Sequence, residues 1–114
     1  MMAAKVREIN LESGMPDGGQ AMKRMMNGLT TAKQSGCRAV ILIHGYGSSG
    51  AGGIIKKEVG SKLRDPSLRG IVRDNVKGEN WIIKKKEFLD ICPALREFER
   101  HIDGNNGITV VILK

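Results

Sequence analysis

The chain has 114 residues, 40% apolar and only 4% aromatic, with a formal net charge of +7. That length holds one compact domain and no more, with a core of aliphatic side chains and methionine. Lysine and arginine are spread along the whole chain, not gathered in a tail, which favours an anionic partner and makes nucleic acid the first expectation.

Taken in order, Val6, Ile9 and Leu11 stand amid charge and predict a short first strand over residues 5–11. The breakers of residues 13–19 predict a turn. In residues 20–34, Met22, Met25, Met26, Leu29 and Ala32 recur at three and four, the core face of a helix that Ser35-Gly36 stops. Residues 38–44 form a near-continuous apolar run, the pattern of a strand covered on both faces. Ala51, Ile55, Val59 and Leu63 lie four apart with Lys56, Lys57, Lys62 and Arg64 on other faces, which predicts a second helix ending at Asp65-Pro66.

Ile71 and Val72 mark a third strand. Residues 76–83 stay open, with Lys77-Gly78-Glu79-Asn80 reading as a turn and Trp81-Ile82-Ile83 as a strand or a docking segment. Phe88, Ile91, Leu95 and Phe98 keep roughly helical spacing interrupted at Pro93, so a short third helix is placed over 93–102. A turn at 103–107 and a closing strand at 108–113 complete the chain. This order predicts an α/β fold, a two-layer mixed sheet with helices packed on it and parallel pairing of the early strands.

Cys37 and Cys92 are the only cysteines; they lack metal or redox spacing and sit beside apolar residues, which predicts core filling in a reducing compartment. No apolar leader opens the sequence and no segment approaches a membrane span, so a cytoplasmic protein without membrane contact is expected.

Residues 40–53 read VILIHGYGSSGAGG, a strand running into histidine and a loop of glycine and serine. Gly45-Tyr46-Gly47-Ser48-Ser49-Gly50 fits the dinucleotide pattern, with Asp74 as a rough ribose-binding acid. A βα unit precedes it, however, and too little chain follows for the second nucleotide-binding half. A P-loop needs Gly-Lys-Ser/Thr where this chain has Gly52-Gly53-Ile54-Ile55. An α/β-hydrolase would use His-Gly-x-Gly for its oxyanion turn, but the Gly-x-Ser-x-Gly nucleophile elbow is missing.

An anion site needs none of those motifs. Glycines let successive N–H groups converge on one anion, and the following helix adds the positive end of its dipole. Ser48 and Ser49 supply hydroxyls, Lys56 and Lys57 supply charge, and Tyr46 is placed to stack on a base or sugar. The alternative is a tight turn that merely needs small residues.

His44 has two readings, a cap on the sheet bonded to backbone, or a phosphate ligand and general acid–base. An ordinary crossover brings Glu12 near it, to orient the ring or act as a base, unless Glu12 is only a solvated loop residue. Arg38, Arg69, Arg73 and the run Lys84-Lys85-Lys86 are further phosphate-contact candidates. Trp81 is expected to anchor its segment on the core, and His101 to sit at the surface.

The whole chain resembles the Smr (small MutS-related) domain family. His44-Gly45-Tyr46-Gly47 stands where that family's second strand ends in His-Gly-x-Gly, Gly50 to Gly53 leads into the helix, and Gly107-Ile108-Thr109-Val110-Val111 matches its closing strand. The resemblance implies a single domain over residues 1–114, folded like the C-terminal domain of translation initiation factor 3. It also implies nucleic-acid binding, with nicking or RNA-cleaving activity in some members.

Two departures stand out. In Ile9-Asn10-Leu11-Glu12-Ser13-Gly14, Asn10 replaces the family's acid and Glu12 its frequent histidine, and residues 81–102 look like an insertion before the last strand. The expectation is therefore a DNA- or RNA-binding domain with weak or absent cleavage, without cofactor or metal. The alternatives are an endonuclease using His44 with Glu12, and a protein–protein module built on residues 81–102.

Overall fold

The computed structural model describes residues 6–14, 16–45 and 52–114. The elements run β1 (Val6–Asn10), α1 (Gly18–Gln34), β2 (Ala39–Ile43), α2 (Gly52–Leu63), β3 (Val72–Lys77), α3 (Trp81–Ile91), α4 (Glu99–Ile102) and β4 (Ile108–Leu113). Short 3₁₀ turns occupy Pro66–Leu68, Gly78–Asn80 and Pro93–Phe98. Helix α1 starts where Asp17 and Gln20 cap each other reciprocally: the Gln20 amide donates to Asp17 Oδ1 at 2.8 Å and the Asp17 amide to Gln20 Oε1 at 3.1 Å.

One sheet is ordered β1-β2-β4-β3, with β1 parallel to β2 and β4 antiparallel to both of its neighbours. The parallel pair follows from the α1 crossover, as expected for the early strands. Strand alternation then divides the core. Val40 and Leu42 of β2 and Val111 of β4 meet Met25 and Leu29 of α1 and Ile55 and Val59 of α2. Ala39 and Ile41 of β2 and Val110 and Ile112 of β4 meet Trp81, Phe88 and Leu95 on the opposite face. Cys37 lies in the first core and Cys92 in the second. The apolar runs of β2 and of β4, the latter interrupted only by Thr109, are the signature of this double coverage.

The mixed α/β class holds, but helices cover both faces, so the layers number three instead of the expected two. Residues 81–102 make the difference: α3, the 93–98 turn and α4 are the cover of the second face. Trp81 opens a helix, not a strand. Its side chain is fully buried, meets Phe88 edge-on with ring centroids 6.1 Å apart, and donates from Nε1 to Glu99 Oε2 at 3.3 Å. The helical period was obscured there because Ile82 and Ile83, although apolar, are 70% and 75% exposed. The single helix expected over 93–102 is instead a 3₁₀ turn followed by the four-residue α4.

Strand β3 is longer than Ile71 and Val72 indicated, and it begins at Val72. Its pairing with β4 shifts between Val72 and Asp74. A one-residue slip swaps faces, so Val72 packs in the first core and Val76 in the second. That irregularity hid the alternation on which a reading of the strand depends.

Candidate functional site

Pairing of β2 with β4 continues past Ile43. The amides of His44 and Gly45 both donate to the Gly107 carbonyl, at 2.9 and 3.1 Å. Two consecutive donors on one acceptor turn the chain sharply, and Gly45 takes a φ of +81° that residues with a Cβ avoid. Gly107 is held in turn by Asn105, whose Oδ1 accepts the Gly107 amide at 2.9 Å.

His44 is fully buried. Its Nδ1 lies 3.0 Å from the Gly45 carbonyl, which can only accept, so Nδ1 carries the proton. Nε2 then accepts from the Thr109 hydroxyl at 2.9 Å. Both nitrogens of the neutral ring are used inside the protein. Burial pushes the imidazole pKa below its ordinary value; the Gly45 carbonyl opposes this, Lys56 adds to it, Glu79 opposes it and Lys77 adds to it. Among the described residues, the His44 ring is thus bonded to the Gly45 carbonyl and the Thr109 hydroxyl. It locks the last turn of backbone before the glycine-rich segment.

That burial has a pH signature. The folded-state pKa lies below the unfolded one, so between them the unfolded chain binds more protons and stability falls as pH falls. The contribution is complete above about pH 6.5, the ordinary imidazole value, and is lost below it. Urea midpoints of the wild type should decline on going from neutral pH towards pH 5, and His44→Gln should flatten that decline while lowering the plateau. Parallel pH profiles for the two proteins would place the sensitivity elsewhere.

Glu12 reaches the same end of the sheet, because Leu11 N bonds the Ile43 carbonyl at 2.8 Å as β1 leaves β2. The turn after β1 is tied from two sides. Asn10 Oδ1 accepts the amides of Glu12 and Ser13, both at 2.9 Å, and Arg24 Nη1 donates to the carbonyls of Asn10 and Ser13 at 3.1 and 2.8 Å. Asn10, read as a departure from the family motif, thus builds an Asx turn. The exposed Glu12 carboxylate lies over the Gly45 α-carbon, on the side where a Cβ would stand. It neighbours the Gly45 backbone, whereas the partners of the His44 ring are Gly45 and Thr109.

Lys56, in the second turn of α2, pairs with Glu79 at 2.9 Å, and the bond from Lys56 holds the Glu79 carboxyl below the usual range. Lys57 is exposed beside it. Tyr46, Gly47, Ser48, Ser49 and Gly50 lie outside the described residues.

The remaining cations divide by strand direction. Arg38 precedes β2 and Arg69 and Arg73 flank the start of β3, so all three stand at the end of the sheet opposite His44; Lys77, at the end of β3, lies on the His44 side. Lys84 is paired with Asp74 at 2.8 Å and Lys85 with Glu99 at 3.0 Å, and Lys86 is exposed. His101 is at the surface, 3.9 Å from Glu8. Among the described residues no three histidine, cysteine or acidic side chains are grouped to hold a metal ion, and no helix is long and apolar enough to cross a membrane.

Sequence reasoning missed Thr109, Glu79 and Arg24. Thr109 did carry a signal, as a single hydroxyl in an otherwise apolar strand that is buried throughout, a place where a polar atom needs a partner. Glu79 looked like any charge in a surface turn.

The family model of the Smr domain matches residues 14–114, a span that begins beyond β1. No curated protein matches. The crystal structure of the Smr domain of Thermus thermophilus MutS2 superposes with a TM-score of 0.55 at 20% identity, covering 97% of this chain and 99% of that one. At that identity the likeness is one of fold.

Proposed function

The chain belongs to the Smr domain family, and from that premise we propose that it binds nucleic acid, DNA or RNA, at the His44 end of the sheet, without appreciable cleavage. The observation that carries this reading is the convergence of charge and backbone there. Lys77 pairs across the sheet with Thr109, which bonds His44, and Lys56 meets Glu79 two residues beyond Lys77, at the point where His44 and Gly45 are pinned to Gly107. Residues 45–50, with the hydroxyls of Ser48 and Ser49, contact phosphate, Tyr46 stacks, and Lys56, Lys57 and Lys77 neutralise the flanking backbone. His44 serves as a positioning residue, since both ring nitrogens are engaged. A basic protein of this kind, with its cysteines in two separate cores, is assigned to the cytoplasm.

A second reading has its own observation. Glu12 is an exposed carboxylate on a tied turn beside Gly45, a suitable place for a general base in phosphodiester cleavage. One experiment addresses both. Purified protein is incubated with labelled RNA and DNA, with and without magnesium, at low and physiological salt, and scored for retention and cutting. Retention should be strong at low salt and fall steeply as salt rises, because phosphate contacts release counterions. Glu12→Gln should tighten binding by removing a negative charge. Brisk cutting abolished by Glu12→Gln with retention intact would establish the endonuclease instead. No retention at low salt, or retention indifferent to salt, would refute the binding reading.

A further inference from the structure

The Lys56–Glu79 pair joins two layers of the fold. Lys56 comes from α2 on one face of the sheet, while Glu79 comes from the turn Gly78–Asn80 that leads into α3 on the other. The pair spans the sheet's end beside His44, whose ring both side chains influence. The side chains are 23% and 42% exposed, open enough for a ligand to reach them.

The backbone that presents the carboxylate is held in place. Gly78, next to it, is buried against the turn after α4: its carbonyl accepts the Gly104 amide at 3.1 Å, and its α-carbon faces the Asn105 and Ile102 carbonyls with no room for a Cβ. Glu79 is therefore presented by fixed backbone. A carboxylate oxygen 2.9 Å from an ammonium reproduces the charge and distance of a phosphate oxygen on the same ammonium.

We propose that Glu79 is an internal substitute for phosphate, occupying Lys56 in the unliganded protein and being displaced when nucleic acid binds. Glu79 thereby lowers the affinity of the site for any anion and discriminates against isolated ones. A single phosphate must break the pair for one contact, whereas a polyanion recovers the loss through several contacts at once. This inference rests on the nucleic-acid reading above.

The test measures binding of a short fluorescein-labelled DNA duplex by anisotropy across a salt series, with folding checked by circular dichroism. Glu79→Gln should tighten binding about two- to fivefold at low salt, the range an exposed ion pair is worth. The slope of log K against log salt should change by less than the roughly 0.9 that one phosphate contact is worth, because Lys56 reaches phosphate in both complexes. Glu97→Gln makes the same charge change on the exposed 93–98 turn and should not match that gain. Lys56→Gln should weaken binding more in the Glu79→Gln background than in the wild type, because only the wild type must break the pair first. Glu79→Gln binding no tighter than Glu97→Gln, or weaker than wild type, would overturn the inference while leaving nucleic-acid binding standing. A wild type that fails to bind the duplex at low salt would instead remove the reading beneath it.

Discussion

Trp81→Ala should destabilise the domain by about 3–5 kcal/mol, the usual cost of emptying a buried aromatic site. Stabilities of domains like this one are only about 5–15 kcal/mol, so the variant should be close to unfolding. Trp81 is fully buried at the start of α3, with Phe88 edge-on against its ring and Glu99 accepting its indole N–H. Around it sit Leu95 and Ile102 from the 93–98 turn and α4, and Ile108, Val110 and Ile112 from β4. Removing the ring opens a cavity between the sheet and its second cover and leaves Glu99 without one of the two donors that hold its carboxyl low. Urea denaturation followed by far-UV circular dichroism measures the loss, since the fluorescence reporter is the residue removed. A loss below about 1 kcal/mol, the scale of surface substitutions, would make residues 81–102 peripheral and revive their reading as a docking segment for another protein.

Gly78→Ala should cost about 1–3 kcal/mol or more, as overpacking does when the obstacle cannot move. The obstacles here are the backbone carbonyls of Asn105 and Ile102, the latter 2.8 Å from where the Cβ would stand. A flexible side chain could rotate away, but these oxygens belong to the turn that sets Gly107 against His44 and Gly45. The substitution should therefore damage the site as well as the fold, lowering nucleic-acid retention at temperatures where the variant is still folded. Gly104→Ala is the internal comparison. Its φ is +74° but nothing lies within 4 Å of its Cβ position, so only backbone strain of about 1–2 kcal/mol applies. A Gly78→Ala urea midpoint unchanged from the wild type would show that the carbonyl contacts at Gly78 do not matter.

Much of this architecture is written locally. The period of Met25, Leu29 and Ala32 made α1 legible, and the unbroken run at 39–43 announced a strand covered on both faces. His44 followed by glycines marked the end of that strand as the place to look. Local signals failed where exposure contradicted side-chain type. Ile82 and Ile83 are apolar yet face solvent, so the start of α3 read as a strand or a docking segment, and the irregularity in β3 broke an alternation that reading by two requires.

By itself, then, the sequence determined the order of elements through β3 and the closing strand, the basic charge, and the strand end at which function is proposed. Each depends on neighbours within a few residues, where side-chain period and backbone preference act directly. Only the tertiary structure decided which partners the site residues take. Thr109, 65 positions along the chain from His44, bonds Nε2 of the buried ring. Glu79, 23 positions from Lys56, takes up the cation that the helix pattern offered to phosphate. A hydrogen bond depends on distance in space, and that distance is settled when β4 inserts between β2 and β3 and helices close over both faces of the sheet.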